Sequence, residues 1–163
     1  MKKMILVLFV LFSLYGCGIY SFTNTSMPQH LENVTIPLFI NGSMESGIAE
    51  EITYQLSNSM QDNGLKTVSS GGDAVIEGKV LNYDNKPYEY TAKRALNVDV
   101  ESYVVRIKVE VEFRDEVKDK VLYSGKIYGE GIYDFNEEDE ETGKTRAIED
   151  VIQQIIDNSV TGW

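Results

Sequence analysis

The most constraining feature of this 163-residue chain is a stretch of alternating apolar and charged residues that follows Pro87. Tyrosine, valine, isoleucine and phenylalanine occupy every second position from Tyr103 to Phe113, and mostly charged residues lie between them. Successive side chains of a β-strand point to opposite faces, so this period of two predicts a long strand with one face on a core and one in water. Such a strand belongs to a sheet that is covered on one side only.

Three further strands are predicted around the alternating stretch. The β-branched run 34–40 predicts a strand, and Pro37 within it favours an edge position or a bulge because proline cannot donate a ladder hydrogen bond. A second strand is predicted over 74–83, and a last one over 121–133 pairs back on the alternating strand through a polar hairpin over 115–120. Three glycines on one side of that last strand suggest bulges or the close approach of another backbone (Gly125, Gly129 and Gly131).

Two amphipathic helices are predicted, one before and one after these strands. The first spans 45–63, with Ser46 as its cap and Gly64 just past its end. Its apolar residues recur every four positions at Ile48, Ile52, Leu56 and Met60. The second spans 143–160 and is capped by Thr142. Its broad apolar face consists of Ala147, Ile148, Val151, Ile152, Ile155 and Ile156.

The predicted elements follow the order β-α-β-β-β-α. A strand-helix-strand start brings two parallel strands together through a right-handed crossover, and the later strands follow as an antiparallel meander. The expected fold class is therefore α+β, a two-layer sandwich in which two helices cover one face of a four-stranded mixed sheet. Residues 34–163 form this single domain.

The chain begins with the pattern of a secretory signal peptide. Lys2 and Lys3 precede an apolar run, 4–15, that is too short to span a bilayer. The run ends in Leu14-Tyr15-Gly16-Cys17, which resembles a bacterial lipobox, where the cysteine is acylated and becomes the first mature residue. We therefore expect a signal peptide over 1–16, a lipid anchor on Cys17 and a short tether over 17–33, since two or more acyl chains hold a protein stably at a membrane.

Composition excludes several functional classes. Net charge is −11, and removal of Lys2 and Lys3 with the signal peptide leaves the mature chain at −13. Such an acidic body argues against sequence-independent binding of nucleic acid, which needs clustered lysine and arginine. Cys17 is the only cysteine, so if it carries lipid no thiol remains for a disulfide, a zinc site or a catalytic nucleophile. No nucleic-acid partner is expected.

Catalytic and metal-binding patterns are weak. His30 is the only histidine and lies in the predicted tether, which makes a Ser/His/Asp or Cys/His arrangement implausible. The acidic run Glu137–Glu141 lacks the spaced ligands and central glycine of an EF-hand. A solvated loop is the default interpretation of such a run. We expect neither enzymatic activity, nor a metal, nor a cofactor.

Two basic pairs stand out against the acidic background. Lys93 and Arg94 lie in the loop that follows Pro87, close to Tyr88 and Tyr90. Arginine offers paired donors and tyrosine covers apolar area, so this cluster suits an anionic amphiphile that carries phosphate. A solvated hairpin loop explains the same residues. The second pair, Lys144 and Arg146, lies at the start of the last helix, where cations oppose the helix dipole, and this favours a functional reason for it.

Four stretches together resemble one family. They are Gly18–Phe22 after the cysteine, Thr35–Asn41 before the first helix, Asp73–Gly78 at the second main strand and the terminal Gly162-Trp163. In this order and spacing they resemble the LPS-assembly lipoprotein family LptE. The resemblance implies a non-enzymatic lipoprotein anchored in the outer membrane on its periplasmic side. It would plug the β-barrel translocon LptD, help it assemble and contact lipopolysaccharide (LPS), and Lys93, Arg94 and Lys144 are the nearest matches to the family's LPS-contacting positions.

Two other hypotheses remain open on sequence alone. One is a lipid- or glycan-binding periplasmic lipoprotein that holds its ligand in a groove between sheet and helices. A ligand-sized cavity between the layers would favour it, and a filled core would not. The other is a surface hydrolase, which would require a convergent acid/base pair in a cleft.

Overall fold

Six strands and two helices form the part of the chain that the computed structural model describes, which comprises residues 28, 30–88 and 102–160. Both helices and the long strands occur near their predicted positions. In chain order the elements are β1 (Asn33–Thr35), β2 (Ile40–Asn41), α1 (Ile48–Asp62), β3 (Lys66–Val68), β4 (Ala74–Pro87), β5 (Ser102–Asp115), β6 (Lys120–Asp134) and α2 (Glu140–Val160).

The strands form one mixed sheet in the order β3-β1-β4-β5-β6, with β2 also pairing with β4. The short strands β1, β2 and β3 run parallel to their neighbours, whereas β4, β5 and β6 form an antiparallel meander. The α+β two-layer class is therefore confirmed. The predicted strand number is wrong, because the described residues contribute six strands instead of four. One predicted strand is split in two, and the short segment after α1 joins the sheet as β3.

The split occurs at Pro37. The predicted strand 34–40 forms β1 and β2, and both pair with β4. The chain takes five steps from Thr35 to Ile40, while β4 takes four from Val75 to Lys79. One residue is therefore extra on the side of Pro37, which has no N–H for the ladder. The extra residue agrees with the bulge alternative. β1 is an interior strand between β3 and β4, whereas β2, which follows Pro37, pairs with β4 alone.

Helix α1 buries the predicted stripe but starts later than expected. Ile48, Ile52, Leu56 and Met60 are all buried against the sheet. The N-cap is Gly47 in the left-handed region, with no side-chain cap hydrogen bond, so the prediction of a Ser46 cap is wrong. At the other end Gly64, with φ +89°, donates to the Gln61 carbonyl, and Leu65 donates to the Met60 carbonyl. This pair of bonds is a Schellman motif, which explains the glycine past the helix end.

The helices pack on one face of the antiparallel meander. On β5 this face is formed by the odd-numbered residues. Val105, Ile107, Val109, Val111 and Phe113 are buried there, as predicted. The glycines of β6 allow α2 to approach closely. A Cβ on Gly131 would lie 1.9 Å from the Gly143 carbonyl oxygen, and one on Gly129 would lie 2.2 Å from that of Ala147. The predicted close approach of another backbone is confirmed at these two positions.

Helix α2 begins three residues before the predicted start, inside the acidic run. The Asp139 carboxylate accepts hydrogen bonds from the Thr142 N–H (3.0 Å) and the Thr142 hydroxyl (2.9 Å). Asp139 is therefore the cap instead of Thr142, and Glu140 and Glu141 form part of the first turn, where negative charge suits the helix dipole. Neither α1 nor α2 has the combination of length and apolar character that a bilayer-crossing helix requires.

Candidate functional site

The long strands define two ends of the sheet. We call the end at Pro87, Ser102 and Asp134 the loop end, and the end at the β5–β6 turn, 116–119, the hairpin end. At the loop end the Tyr88 N–H donates to the Ser102 carbonyl over 2.9 Å, which closes the base of the segment 89–101. Lys93 and Arg94 belong to that segment and, like Cys17, lie outside the described residues.

Lys144 lies at the loop end, on the second turn of α2. Its ammonium is 2.6 Å from the Glu141 carboxylate and 3.5 Å from that of Glu45, and its side chain is only 14% exposed. Burial alone would lower the pKa of Lys144, but the hydrogen bond and charge of Glu141 and the charge of Glu45 outweigh it and raise the pKa. The ammonium therefore stays charged, and it links α2 to the segment that precedes α1.

Tyr83 extends this arrangement onto β4. Its hydroxyl donates to the Glu140 carboxylate over 2.7 Å. Burial raises the pKa of Tyr83 above its ordinary value, and the hydrogen bond to Glu140 raises it further, so the phenol remains a protonated donor. We call Glu45, Tyr83, Glu140, Glu141 and Lys144 the Lys144 cluster. It joins three elements that are distant in sequence.

Arg146, the second basic residue of the pair, is also paired. Its guanidinium donates to both oxygens of Glu138, over 2.6 and 2.8 Å, and to the Ile132 carbonyl over 2.6 Å. The hydrogen bonds from Arg146 lower the pKa of Glu138 to about 2, and the Asp134 N–H contributes to the shift. Arg146 therefore donates to a carbonyl of the edge strand β6 and pairs with Glu138. These contacts explain in structural terms why a cation lies near the start of α2.

The acidic run is mostly used within the fold. Asp139 caps α2, Glu138 holds Arg146, Glu140 accepts from Tyr83 and Glu141 pairs with Lys144. Across the described residues, no group of three or more histidine, cysteine or acidic side chains is arranged to hold a metal ion. Four of the five acidic side chains in this run therefore bind other groups of the protein, so the interpretation of the run as a solvated loop does not describe them.

Aromatic side chains and an amide lie beside the base of the 89–101 segment. The Tyr103 ring is 5.9 Å from that of Tyr133 and 5.3 Å from that of Phe135, whose side chain is 61% exposed. The Asn85 amide nitrogen donates to the Tyr133 hydroxyl over 2.9 Å, while its oxygen is buried without a partner in the described part of the chain. The loop end therefore has exposed apolar area at Phe135, and a buried amide oxygen without a partner among the described residues lies beneath it.

The open face of the sheet, which the helices do not cover, carries balanced charge. Arg106 pairs with Glu130 over 2.6 Å, Lys126 lies 3.9 Å from Glu110, and the Lys108 ammonium lies 5.1 Å from the centre of the Tyr128 ring. The register of β4, β5 and β6 puts six basic residues there (Lys79, Lys86, Arg106, Lys108, Arg114 and Lys126) and six acidic ones (Glu77, Asp84, Glu110, Glu112, Glu130 and Asp134). This face is not a basic patch.

A second polar cluster, which sequence reasoning missed, lies at the hairpin end. His30 Nε2 is 2.7 Å from the Asp115 carboxylate, which also accepts the N–H groups of Val117 and Lys118. Eighty-five residues separate His30 from Asp115, so no local pattern could reveal the pair. The histidine has a structural role in fixing the start of the domain to the β5–β6 turn.

Comparisons with solved structures confirm the fold. The PelC dodecamer from Paraburkholderia phytofirmans matches with TM-score 0.53 and 14% identity, covering 78% of this chain and 87% of that one. The hypothetical protein CT253 from Chlamydia trachomatis matches with TM-score 0.52 and 8% identity (79% and 98% covered). Uncharacterized lipoprotein B from Nitrosomonas europaea matches with TM-score 0.52 and 17% identity (77% and 80% covered). At these identities the likeness concerns the fold alone.

Sequence comparison identifies the family. No curated protein matches this chain. The sequence profile of LptE, described as lipopolysaccharide-assembly, matches residues 31–159, which include every strand and all but the last residue of α2. The match spans most of the chain and confirms the resemblance noted in the sequence. The chain therefore belongs to the LptE family, a non-enzymatic family of lipopolysaccharide-assembly lipoproteins.

Proposed function

We propose that this protein is an outer-membrane lipoprotein of the LPS export translocon. It is anchored through lipid on Cys17 at the periplasmic side, it plugs the LptD β-barrel and assists its assembly, and it contacts LPS. The LptE family match over residues 31–159 carries this proposal. The signal-peptide pattern and the Leu14–Cys17 motif support the anchor and the cell compartment.

The open face supports docking inside a barrel. The lumen of a large outer-membrane barrel is polar, and a plug therefore needs a polar surface that does not carry one dominant sign. The ion pairs Arg106–Glu130 and Lys126–Glu110 have side chains about half exposed. Such pairs can exchange partners with a polar wall at little cost, since exposed ion pairs contribute little to stability.

The loop end supports a local contact with LPS. Lys93 and Arg94 belong to the segment that leaves and rejoins the sheet beside Tyr103 and the exposed Phe135. Cationic groups bind phosphate, and aromatic side chains contribute apolar area. Lys144 contributes to the same contact by exchanging Glu141 or Glu45 for an LPS phosphate, and we expect a smaller effect from it because its charge is already paired.

The charge-reversed double variant K93E/R94E tests the LPS contact. In the full lipidated chain it should bind purified LPS at least several-fold more weakly, while circular dichroism and co-purification with LptD stay unchanged. The matched control is K66E/K118E, which makes the same change in net charge at exposed lysines of the hairpin end. Equal weakening by both variants, or unchanged binding by K93E/R94E, would contradict a local contact at the loop end.

Co-purification tests the partner. From detergent-solubilised outer membranes, the full-length protein should be isolated together with LptD at a fixed stoichiometry. Recovery as a lone monomer from the same membranes would contradict the plug role. The result is independent of the LPS measurement, so the two parts of the proposal fail separately.

The packing between the layers argues against the ligand-carrying alternative. Glycines of β6 meet the backbone of α2 directly, and large buried side chains from α1, β4 and β5 belong to one core cluster with residues of α2. In the described residues, the sheet and the helices are therefore in contact where that alternative requires a groove. The surface hydrolase gains no support either, since the LptE family is non-enzymatic.

A further inference from the structure

We propose that the outer edge of β6 is a strand-pairing surface for a second copy of this chain, and that side chains of α2 hold it closed. The sheet ends at β6, a strand of fifteen residues that pairs with β5 alone in the described part of the chain. A long edge of this kind is a template for another strand, because its outward N–H and C=O groups have no ladder partner. The closure is independent of the proposed function.

The outward backbone groups of β6 belong to its even-numbered residues. In an antiparallel pair, residues whose N–H and C=O both point to the neighbouring strand alternate with residues whose groups point away from it. The Glu130 N–H donates to the Asp150 carboxylate of α2 over 3.0 Å, so Glu130 is one of the outward residues. Tyr128, Ile132 and Asp134 belong to the same set, because the pairing of β6 with β5 is regular over these positions.

Four side chains, three of them on α2, each form a hydrogen bond with one outward group of β6. The bonds are Gln154 to the Tyr128 carbonyl (2.8 Å), Asp150 to the Glu130 N–H (3.0 Å), Arg146 to the Ile132 carbonyl (2.6 Å) and Glu138 to the Asp134 N–H (3.0 Å). Donors and acceptors alternate along this row, as they do along the backbone of a neighbouring strand. A second strand cannot bond to these four groups while the side chains are in place.

The repeats of the helix and the strand explain why one helix can close the edge. Arg146, Asp150 and Gln154 are four residues apart, which is about 6.0 Å along an α-helix. Outward residues of an antiparallel strand are two residues apart, which is about 6.8 Å. The helix runs opposite to β6, since Arg146 bonds to Ile132 and Gln154 to Tyr128. The side chains therefore stay in step with the strand over two turns of the helix.

The closed segment is complementary to itself, and this makes a second copy the partner that α2 excludes. In an antiparallel pair centred on Glu130, Tyr128 of each copy lies opposite Ile132 of the other. These two side chains are 57% and 40% exposed on the open face, and aromatic and β-branched residues on adjacent strands stabilise a sheet. Each Glu130 keeps its ion pair with Arg106 of its own copy, which reduces the repulsion between the two carboxylates.

The hairpin half of the same edge is protected by other features. The pairing of β6 with β5 shifts between Phe113 and Arg114, which leaves Leu122 as an extra residue. Such a bulge bends and twists the strand. Lys120 and Lys126 add charge, and bulges and lysines are both known to discourage pairing between edges. Closure by α2 is therefore needed only from Tyr128 onward.

Sedimentation velocity of the full lipidated chain, with detergent micelles in excess, tests the closure. The variant D150A/Q154A removes two of the four side-chain partners and keeps the buried residues of α2. We expect at least a several-fold larger dimer fraction than for the unsubstituted protein. The matched control is E149A/Q153A, which makes the same two kinds of substitution one position earlier, on exposed residues, and should remain monomeric.

A proline separates pairing of the edges from non-specific association. The Glu130→Pro change removes an outward N–H but no hydrogen bond to β5, and proline is tolerated at such an edge position. Added to D150A/Q154A, it should restore the monomer. A monomeric D150A/Q154A, an equal dimer fraction for E149A/Q153A or a dimer that persists with Glu130→Pro would each overturn the proposal.

Amide hydrogen exchange tests the closure in the unsubstituted protein, so the result does not depend on the folding of a variant. The N–H groups of Glu130 and Lys126 both point away from β5, and of the two only that of Glu130 has a side-chain acceptor among the described residues. We expect Glu130 to exchange at least several-fold more slowly than Lys126. Equal exchange at the two positions would show that Asp150 does not close the edge.

Discussion

Asp115 accepts three hydrogen bonds at the hairpin end, although its side chain is only 1% exposed. Burial would raise the pKa of this carboxyl, but the hydrogen bonds from the Lys118 N–H, His30 and the Val117 N–H hold it below its usual value. A carboxyl with a depressed pKa in the folded state stabilises the fold above its unfolded pKa, about 3.9. That stabilisation disappears as the pH falls through the lower folded value.

Replacing Asp115 by Asn should therefore lower the urea midpoint of unfolding at pH 7. The amide keeps an acceptor for one N–H but removes the charge that faces His30. The difference from the unsubstituted protein should shrink as the pH falls below about 4, where Asp115 is protonated first in the unfolded chain and, at lower pH, in the folded protein. Urea titrations at pH 7 and pH 3 measure both effects.

The matched control for this change is D119N, four residues further along the same turn. Asp119 is 93% exposed and adopts φ +48°, a conformation that asparagine tolerates. Its midpoint should stay close to that of the unsubstituted protein. A D115N midpoint that is equally unaffected at pH 7 would show that the carboxylate is not a structural anchor of the chain entry.

At the scale of elements, the contact between β6 and α2 depends on two glycines. The Gly131→Ala change puts a Cβ 1.9 Å from the Gly143 carbonyl oxygen, so one backbone must move away from the other. Overpacking of this kind costs about 2–3 kcal/mol of unfolding free energy. Chemical denaturation of G131A measures the loss.

The Gly125→Ala change in the same strand is the comparison. Its Cβ would meet the Tyr123 hydroxyl, 2.5 Å away, which is the far end of a partly buried side chain and not backbone as at Gly131. Alanine also costs less backbone entropy than glycine on folding. G125A should therefore stay within about 1 kcal/mol of the unsubstituted protein. Equal losses for G125A and G131A would contradict the close approach of α2 at Gly131.

Regular periods made most of these elements predictable. The alternation in β5 and the four-residue spacing from Ile48 to Met60 each report one buried face, and both faces are buried as expected. Element ends were less predictable because they depend on single caps. Gly47 replaces Ser46 at α1, and Asp139 replaces Thr142 at α2. The short strand β3 is defined by its pairing with β1. That pairing is a contact between distant residues, and a local sequence pattern does not reveal it.

The candidate site was predictable in its residue types but not in its contacts. Lys144 was a candidate because it is a cation at the start of the last helix. Its partner Glu45 precedes the first helix, and only the packing of α1 against α2 brings the two side chains together. The same holds for Tyr83 and Glu140, which belong to β4 and α2. Contacts between elements this distant in sequence follow from the fold and not from spacing.

For the whole molecule, negative charge is carried by the helices and by the connecting segments, and not by the open face of the sheet. Helix α1 contains Glu50, Glu51 and Asp62 without any lysine or arginine, and the five acidic residues of α2 outnumber its two basic ones. The open face of the sheet is balanced. The helix layer is therefore negatively charged, whereas the open face of the sheet is close to neutral. An anionic ligand such as LPS is repelled by the surface of the helices. This restricts a contact with LPS to a local site such as the loop end.

This distribution predicts that salt stabilises the fold. Self-repulsion within a mature chain of net charge −13 destabilises the compact state, whereas the exposed ion pairs that salt also screens contribute little. Raising NaCl from about 20 to about 200 mM should therefore raise the thermal midpoint. The variant D62N/E137Q removes two acidic charges and should show a smaller rise, because Asp62 lies near the negative C-terminal end of α1 and Glu137 lies in the acidic run. A midpoint that falls with salt would mean that ion pairs such as Arg146–Glu138 outweigh the self-repulsion.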